Sequence, residues 1–178
     1  MASKFVADIS QYIFSAADRL MFDTNIWLLI YGPQSPTDPR AALYSAALRK
    51  ILEAKSRIYI DLVVLSEFVN MYARMRQRLI APQGKFKDFR KSADFQVVAQ
   101  DIVADAKSLT KQCVWTDSGL ELVVVDSLLD MYRLGQSDFN DQIIAANCEQ
   151  QGLTLITDDS DFKDYHVAII TANQKLLL

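Results

Sequence analysis

Histidine and cysteine are scarce in this sequence. Among 178 residues there is one histidine, His166, and there are two cysteines, Cys113 and Cys148. This scarcity argues against a zinc site and against most mechanisms that use histidine for acid–base catalysis. The cysteines have no metal-ligand spacing, and their number fits either a disulfide or a reduced pair. We favour reduced thiols, as in a cytoplasmic protein.

Glycine, proline and long hydrophobic runs are also scarce. With five glycines, four prolines, 51% hydrophobic and 23% charged residues, the composition is typical of one folded domain rather than a disordered chain. The longest apolar runs, such as LVVL at 62–65, are too short to cross a bilayer, so no membrane association is expected. Polar residues interrupt residues 1–19, which predicts a helical extension there rather than a signal peptide.

Positive charge is concentrated in one segment of a chain whose net charge is −3. Residues 74–91 contain seven basic side chains and a single acid, Asp88. Such a contrast with the acidic remainder requires an explanation, either as a solvated surface or as a contact with an anionic partner.

Five short apolar segments predict the strands of a sheet. They are RLMF, RIYI, LELVVV, LTLIT and VAIIT, and segments with helical spacing separate them. This alternation predicts an α/β fold with a mostly parallel sheet of about five strands that helices cover on both faces.

Acidic residues follow several of these strands. Asp23 follows RLMF, Asp61 follows RIYI, and Asp126 follows LELVVV. Asp158 and Asp159 follow LTLIT. One such acid is usually a helix N-cap, but acids that recur at the carboxyl edge of a parallel sheet also indicate a ligand site.

Two further acids are harder to explain as caps. Glu67 lies inside a helical pattern on the same face as Val64 and Met71, where a carboxylate is costly unless a salt bridge, for example to Arg74, or a cation compensates it. Asp138 and Asp141 both fall in one first helical turn. Carboxylates without histidine or cysteine favour Mg²⁺ or Mn²⁺. The acids alone leave a nuclease, a phosphatase and a Mg²⁺-dependent switch open.

The ordered motifs FDTNIW, LSEFVN and NDQIIAANCEQQGLTLITDDSDF resemble those of PIN-domain ribonucleases, especially the VapC-like toxins of toxin–antitoxin pairs. The resemblance implies a three-layer α/β/α sandwich over residues 20–178, with a basic and helical insertion around 79–117. It also implies a Mg²⁺- or Mn²⁺-dependent endoribonuclease that cleaves RNA. Its four acidic positions correspond to Asp23, Glu67, Asp141 and Asp159.

Other residues take supporting roles under this resemblance. Candidates for positioning water or ligands are Thr24, Asn25, Thr157, Asp138, Asp158 and Asp161, and the adjacent Asp158 leaves the fourth acid ambiguous. Candidates for RNA binding are Arg74, Arg78, Lys85, Lys87, Arg90 and Lys91, with Phe86 and Phe89 as base-stacking partners or as locally packed side chains. An antitoxin and a second copy of the chain are the expected protein partners.

Two alternatives compete with the ribonuclease. A phosphatase of the haloacid dehalogenase type also carries an aspartate after its first strand, but it needs a second aspartate where this chain has Asn25. A non-catalytic PIN-like module that binds RNA or protein would be expected to lose one or more of the four acids, and all four are present.

Overall fold

The computed structural model describes residues 5–33, 38–117, 119–135 and 138–178. The strands are β1 (Val6–Asp8), β2 (Arg19–Phe22), β3 (Arg57–Ile60), β4 (Cys113–Trp115), β5 (Thr154–Ile156) and β6 (Ala168–Thr171). The helices are α1 (Thr24–Tyr31), α2 (Pro39–Glu53), α3 (Leu62–Ile80), α4 (Phe86–Phe89), α5 (Ala93–Thr110), α6 (Leu122–Arg133), α7 (Phe139–Gln151) and α8 (Gln174–Leu177). A 3₁₀ helix spans Ser160–Asp164.

The sheet is parallel, and its strand order is β1-β6-β5-β2-β3-β4. From β2 the chain builds outward through β3 to β4, and it then returns to the other side of β2 to form β5. The order of connection therefore reverses between β2 and β5, and such a switch point leaves a crevice at the carboxyl ends of the two strands.

Helices cover the sheet and form a three-layer α/β/α arrangement. Helix α1 packs between α2 and α3, α3 packs on α5, and α6 packs on α7. The central strands are apolar because both of their faces are buried, as in Leu20, Met21 and Phe22 of β2. Phe22 packs on Trp27 of α1 with ring centroids 4.7 Å apart, which anchors the helix that begins directly after β2.

The N-terminal segment differs from the predicted helical extension. Within the described part of residues 1–19, β1 pairs with β6 and Ile9 is buried, so this part belongs to the sheet edge. The polar side chains do not form a helix face: Asp8 is the last residue of β1 and accepts hydrogen bonds from the backbone and side chain of Ser10 in the turn that follows. Residues 1–4 lie outside the described part.

The prediction that LELVVV forms a strand is also wrong. Leu122 begins α6, and Asp126 therefore lies in a helix rather than at the edge of the sheet. A short β-branched run has the same hydrophobicity in a buried strand and in a helix, and periodicity does not separate them. The strand on this side of the sheet is β4, which was not predicted, and together with β1 it brings the sheet to six strands.

The segment 79–117, predicted as an insertion, contains the end of α3 together with α4, α5 and β4. Both cysteines are free thiols. Within the described ranges, no helix has the combination of length and hydropathy required to cross a membrane.

Candidate active site

Asp23 lies at the switch point, directly after β2. Its backbone N–H donates to the carbonyl oxygen of Ile156 on β5 at 3.0 Å, which fixes its position against the neighbouring strand. The residue is 4% exposed. Although it occupies the N-cap position of α1, its side chain makes no capping hydrogen bond. The carboxylate is therefore available for another role.

Thr157 connects Asp23 to two other candidate residues. Its hydroxyl donates to Asp23 Oδ2 at 2.8 Å and accepts the backbone N–H of Asp159 at 3.0 Å. The side-chain amide of Asn25 lies 3.4 Å from the same hydroxyl. One buried threonine after β5 thus orients the carboxylate after β2 and holds the start of the loop that carries Asp159.

Glu67 reaches the site from α3. The hydroxyl of Thr24 donates to Glu67 Oε2 at 3.0 Å. The alternative salt bridge does not form, because within the described ranges Glu67 and Arg74 make no ion pair and the Arg74 guanidinium lies 4.7 Å from the centroid of Phe86. Thr24 therefore holds a carboxylate that forms no ion pair with any basic side chain in the described part of the protein.

The four acids share one electrostatic environment. Burial, with the negative charges of Glu67 and Asp159, raises the pKa of Asp23 to about 7, although hydrogen bonds from Thr157 and the Thr24 backbone oppose this shift. Burial, with the negative charges of Asp23, Asp138, Asp159 and Glu67, likewise raises the pKa of Asp141, in the first turn of α7, to about 7. Both carboxyls are thus destabilised in their charged form by burial and by mutual repulsion.

These carboxylates are near one another without forming a ready-made cluster. Among the residues that the structure describes, no three histidine, cysteine or acidic side chains lie close enough together to ligate one ion. Charges interact over longer distances than the roughly 2 Å of a metal–oxygen bond, so the two observations agree. Binding a cation would require small side-chain movements toward a common centre.

The donor set fits a hard divalent cation. The acids that interact there, Asp23, Glu67, Asp141 and Asp159, offer only carboxylate oxygens, which Mg²⁺ and Mn²⁺ prefer. The Asn25 Oδ1 atom is also buried and has no hydrogen-bond partner in the described part of the chain. A buried acceptor without a partner is costly, and it is well suited to receive a hydrogen bond from a metal-bound water.

The other acids have different partners. Asp158 accepts hydrogen bonds from Arg40 at 3.1 Å and from the Tyr44 hydroxyl at 3.0 Å, so both of its oxygens already have partners. Asp159 is the better candidate for the fourth position, because its charge acts on Asp23. Asp138 caps α7 through the backbone of Asn140. The backbone N–H of Asp161 donates to Asp159 Oδ1 at 2.9 Å, which orients that side chain.

Two residues beside the site had no signal in the sequence. The Tyr44 hydroxyl accepts the backbone N–H of Ala172 while it donates to Asp158, and Asn173 donates to the Asp158 carbonyl at 2.7 Å. Together they tie the loop after β5 to α2 and to the loop after β6. Their positions in a helix and in a loop far along the chain carry no local pattern that would have revealed this contact.

The basic residues extend from the acidic site along α3. Arg74 and Arg78 lie seven and eleven residues after Glu67, on its face of the helix and about 10 and 16 Å away along the axis. Lys85, Lys87, Arg90 and Lys91 surround α4; with the two arginines they form the basic arm. Phe89 is 5% exposed and packs on Phe86 and Phe95, so for this residue the alternative of local packing holds rather than base stacking.

Comparison with one of two similar solved structures supports the fold. The crystal structure of VapBC2 from Rickettsia felis bound to a DNA fragment from their promoter gives a TM-score of 0.55 at 16% identity and covers 85% of this chain and 97% of that chain. The crystal structure of FitAcB from Neisseria gonorrhoeae gives 0.44 at 19% identity and covers 85% and 96%. The first likeness, at 16% identity, concerns the fold alone, and the second carries no argument because its TM-score lies below 0.5.

Sequence comparison gives the family. The chain matches none of the curated proteins. Residues 20–167 match the family model of the PIN domain. Because this segment covers most of the chain and contains all four acids of the site, the protein belongs to the PIN domain family.

Proposed function

We propose that the protein is a Mg²⁺- or Mn²⁺-dependent endoribonuclease that hydrolyses phosphodiester bonds of RNA. The observation that carries this proposal is the electrostatic interaction of four carboxylates, Asp23, Glu67, Asp141 and Asp159, near the switch point of the sheet. Burial, together with the charges of neighbouring acids, raises the pKa values of Asp23 and Asp141. Neighbouring carboxylates repel one another, and a bound divalent cation relieves this repulsion, so such a site favours cation binding.

The residues around the acids would prepare the site for this chemistry. A divalent cation bound there supplies an activated water and neutralises charge on the phosphoryl group. Thr157 orients Asp23, and Thr24 orients Glu67. The free Asn25 Oδ1 accepts a hydrogen bond from a water and directs it toward the phosphate.

The basic arm would bring RNA to this acidic site. An acidic centre repels the phosphates of RNA, and an adjacent row of cations compensates for that repulsion. Arg74 and Arg78 continue the face of Glu67, which supports a path from α4 along α3 to the carboxylates. Phe86 carries the Arg74 guanidinium on one face, so it holds this cation rather than a base.

The proposal for the basic arm can be tested by salt dependence. Replacing Lys85, Lys87, Arg90 and Lys91 with alanine removes up to four phosphate contacts, so the slope of log affinity against log salt should fall by about 3 for single-stranded RNA. Lys50, Lys55, Arg49 and Arg57 provide a control set of equal charge on α2, in the turn after it and on β3. An unchanged slope in the first set would contradict this path.

The cellular role follows from the resemblance to VapC-like toxins. We propose that the chain is the toxin of a toxin–antitoxin pair in the cytoplasm, that an antitoxin covers its acidic site, and that it forms a homodimer. Expression of the chain alone should then slow bacterial growth, whereas coexpression with the protein encoded by the neighbouring reading frame should restore it. Normal growth with an active nuclease would contradict the toxin role only.

The competing functions have less support. Asn25 stands where the haloacid dehalogenase type of phosphatase needs an aspartate, and its amide lies near Thr157. A module without catalysis would not need two destabilised carboxyls whose burial has a cost in folding.

The direct test is cleavage of a generic single-stranded RNA. The wild type should cleave it with Mn²⁺ or Mg²⁺ and stop when EDTA is added. Asp141→Asn should lose this activity, whereas Asp126→Asn, which removes the same charge from an exposed position on α6, should keep it. Cleavage that persists in EDTA, or equal rates for the two variants, would contradict the proposed function.

A further inference from the structure

A groove of about 380 Å³ opens beside the acidic site. Asn25 and Asp159 belong to both, so the groove is continuous with the site. Its volume lies in the range that small-molecule ligands occupy. Helix α1 forms its floor, because α1 packs between α2 and α3.

The floor and one wall of this groove are apolar. Leu28 and Leu29 of α1 line the floor, and Met71 and Met75 of α3 line one wall. Met71 is 41% exposed, so a ligand in the groove could reach it. Methionine adapts its shape and makes favourable contacts with aromatic rings, so this wall suits a planar base of any identity.

The other wall carries a cation. Arg40, the second residue of α2, donates from Nε and Nη2 to Asp38 and from Nη1 to Asp158. These three bonds hold the guanidinium in place, yet two of its five N–H groups have no partner in the described part of the chain. The side chain is 55% exposed at the groove, and an oriented guanidinium with free N–H groups is well suited to a phosphate.

We propose that this groove is a nucleotide subsite, in which one nucleotide of a single-stranded RNA packs its base on Met71 and Met75 and places its phosphate on Arg40. The assignment rests on the proposed ribonuclease function and adds a contact that lies outside the basic arm. The RNA then crosses the acidic site, with the basic arm along α3 on one part of its path and Arg40 at the wall formed by α2.

A nucleotide explains the groove better than a protein segment does. An apolar peptide would satisfy the floor and the methionine wall, but it would leave the free N–H groups of Arg40 unused. A nucleotide uses both the apolar surfaces and the N–H groups of Arg40. Because the groove is continuous with Asp159, the phosphate of the nucleotide lies next to the acids that would cleave the RNA. The experiment must still distinguish a bound nucleotide from a bound protein segment.

Arg40 also supports the loop after β5 through Asp158, so its removal alone would mix two effects. The test therefore starts from Asp158→Asn, which breaks the ion pair while Arg40 remains. The informative comparison is between Asp158→Asn and the double variant Asp158→Asn/Arg40→Ala. Arg49→Ala, at the far end of the same helix, controls for the loss of one positive charge.

The first measurement is binding of a fluorescent single-stranded RNA oligonucleotide by anisotropy in EDTA, at several salt concentrations. The double variant should bind about tenfold more weakly than Asp158→Asn, since a hydrogen bond to a charged group is lost. The salt slope should fall by about 0.7, as for one phosphate contact. Arg49→Ala should match the wild type. Equal affinity and slope for Asp158→Asn and the double variant would overturn the subsite and leave the groove as a protein-binding surface.

The second measurement addresses the methionine wall. Met71→Ala should weaken RNA binding about threefold, because a sulfur contact with an aromatic base is lost. Met131→Ala, at a similarly exposed position on α6, should leave affinity unchanged. Equal RNA affinities for these two variants would contradict the proposal that a base packs on Met71.

Cleavage kinetics separate this inference from the proposed function. With Mn²⁺, the double variant should raise KM relative to Asp158→Asn and leave kcat unchanged, as expected for a contact made equally in the ground and transition states. A wild type that binds RNA without cleaving it would contradict the ribonuclease and leave the subsite supported by binding. A wild type that does neither would overturn both.

Discussion

Asp23 and Asp61 occupy equivalent positions on neighbouring strands and have opposite surroundings. Each directly follows a buried strand, each is the N-cap residue of the next helix, and both are almost fully buried. Asp61 accepts the backbone N–H of Val64 at 2.9 Å and the side-chain amide of Asn147 at 2.8 Å. Asp23 makes no capping bond and faces the charges of other acids.

The difference shows what separates a structural acid from a candidate ligand. Two N–H donors satisfy Asp61, so its charge has a use within the fold. A hydroxyl from Thr157 holds one oxygen of Asp23, while Glu67 and Asp159 oppose its charge. We infer that Asp61 stabilises α3 and that Asp23 is available for a cation.

The largest expected effect is on catalysis. Asp23→Asn should lower the rate of RNA cleavage by more than about 100-fold, the upper range for residues that only support a metal ligand. Added Mn²⁺ should raise the melting temperature of the wild type by mass action and raise that of the variant less.

Asp61→Asn is the matched control, because asparagine caps a helix about as well as aspartate does. Its cleavage rate, measured per folded molecule, should stay close to that of the wild type. If Asp61→Asn lost as much activity as Asp23→Asn, the distinction between the two positions would be wrong.

The next expected effect is on stability, where substitution of Asp61 should matter more than substitution of Asp23. Asp61→Ala should destabilise the protein by about 2–3 kcal/mol, because it leaves the backbone of Val64 and the amide of Asn147 without an acceptor in a buried place. Asp130→Ala, at an exposed position, should cost little. Urea unfolding of the metal-free proteins measures both. A loss below that of the control would show that Asp61 is not a structural cap.

Much of this comparison was accessible from the sequence. The segments RLMF, RIYI, LTLIT and VAIIT contain β2, β3, β5 and β6, because strands buried on both faces are continuous apolar runs. The rule that parallel strands end at one edge then brought Asp23, Asp61 and Asp159 near that edge. It could not say which acid had donors, since Asn147 and Thr157 approach from distant parts of the chain.

The elements that the sequence did not reveal lie at the sheet edges. Strands β1 and β4 have three residues each, and none of these residues is fully buried, so neither carries the signal of a strand covered on both faces. Arg40 and Tyr44 meet Asp158 across more than 100 residues, and no local spacing encodes such a contact. The opposite error occurred in α6, where LELVVV had strand-like residues in a helix.

The smallest effect concerns pH and tests the cost of the charge on Asp23. Its pKa in the folded protein is about 7, above the ordinary aspartate value of 3.8, so the folded state binds more protons than the unfolded state between these values. Stability of the metal-free protein should therefore fall as pH rises through this window. From pH 6 to pH 8 the contribution of Asp23 should decrease by about 1 kcal/mol.

Asp23→Asn isolates this contribution, because the variant cannot gain the charge. Urea unfolding in EDTA at pH 6 and pH 8 should give a larger loss of stability for the wild type than for Asp23→Asn, and the residual loss in the variant should include that of Asp141, whose pKa is also raised. Asp61→Asn should lose as much stability between pH 6 and pH 8 as the wild type does, because it keeps Asp23. If Asp23→Asn and the wild type lost equal stability over this interval, the buried charge would already be compensated within the fold, and the contrast between Asp23 and Asp61 would not identify a cation site.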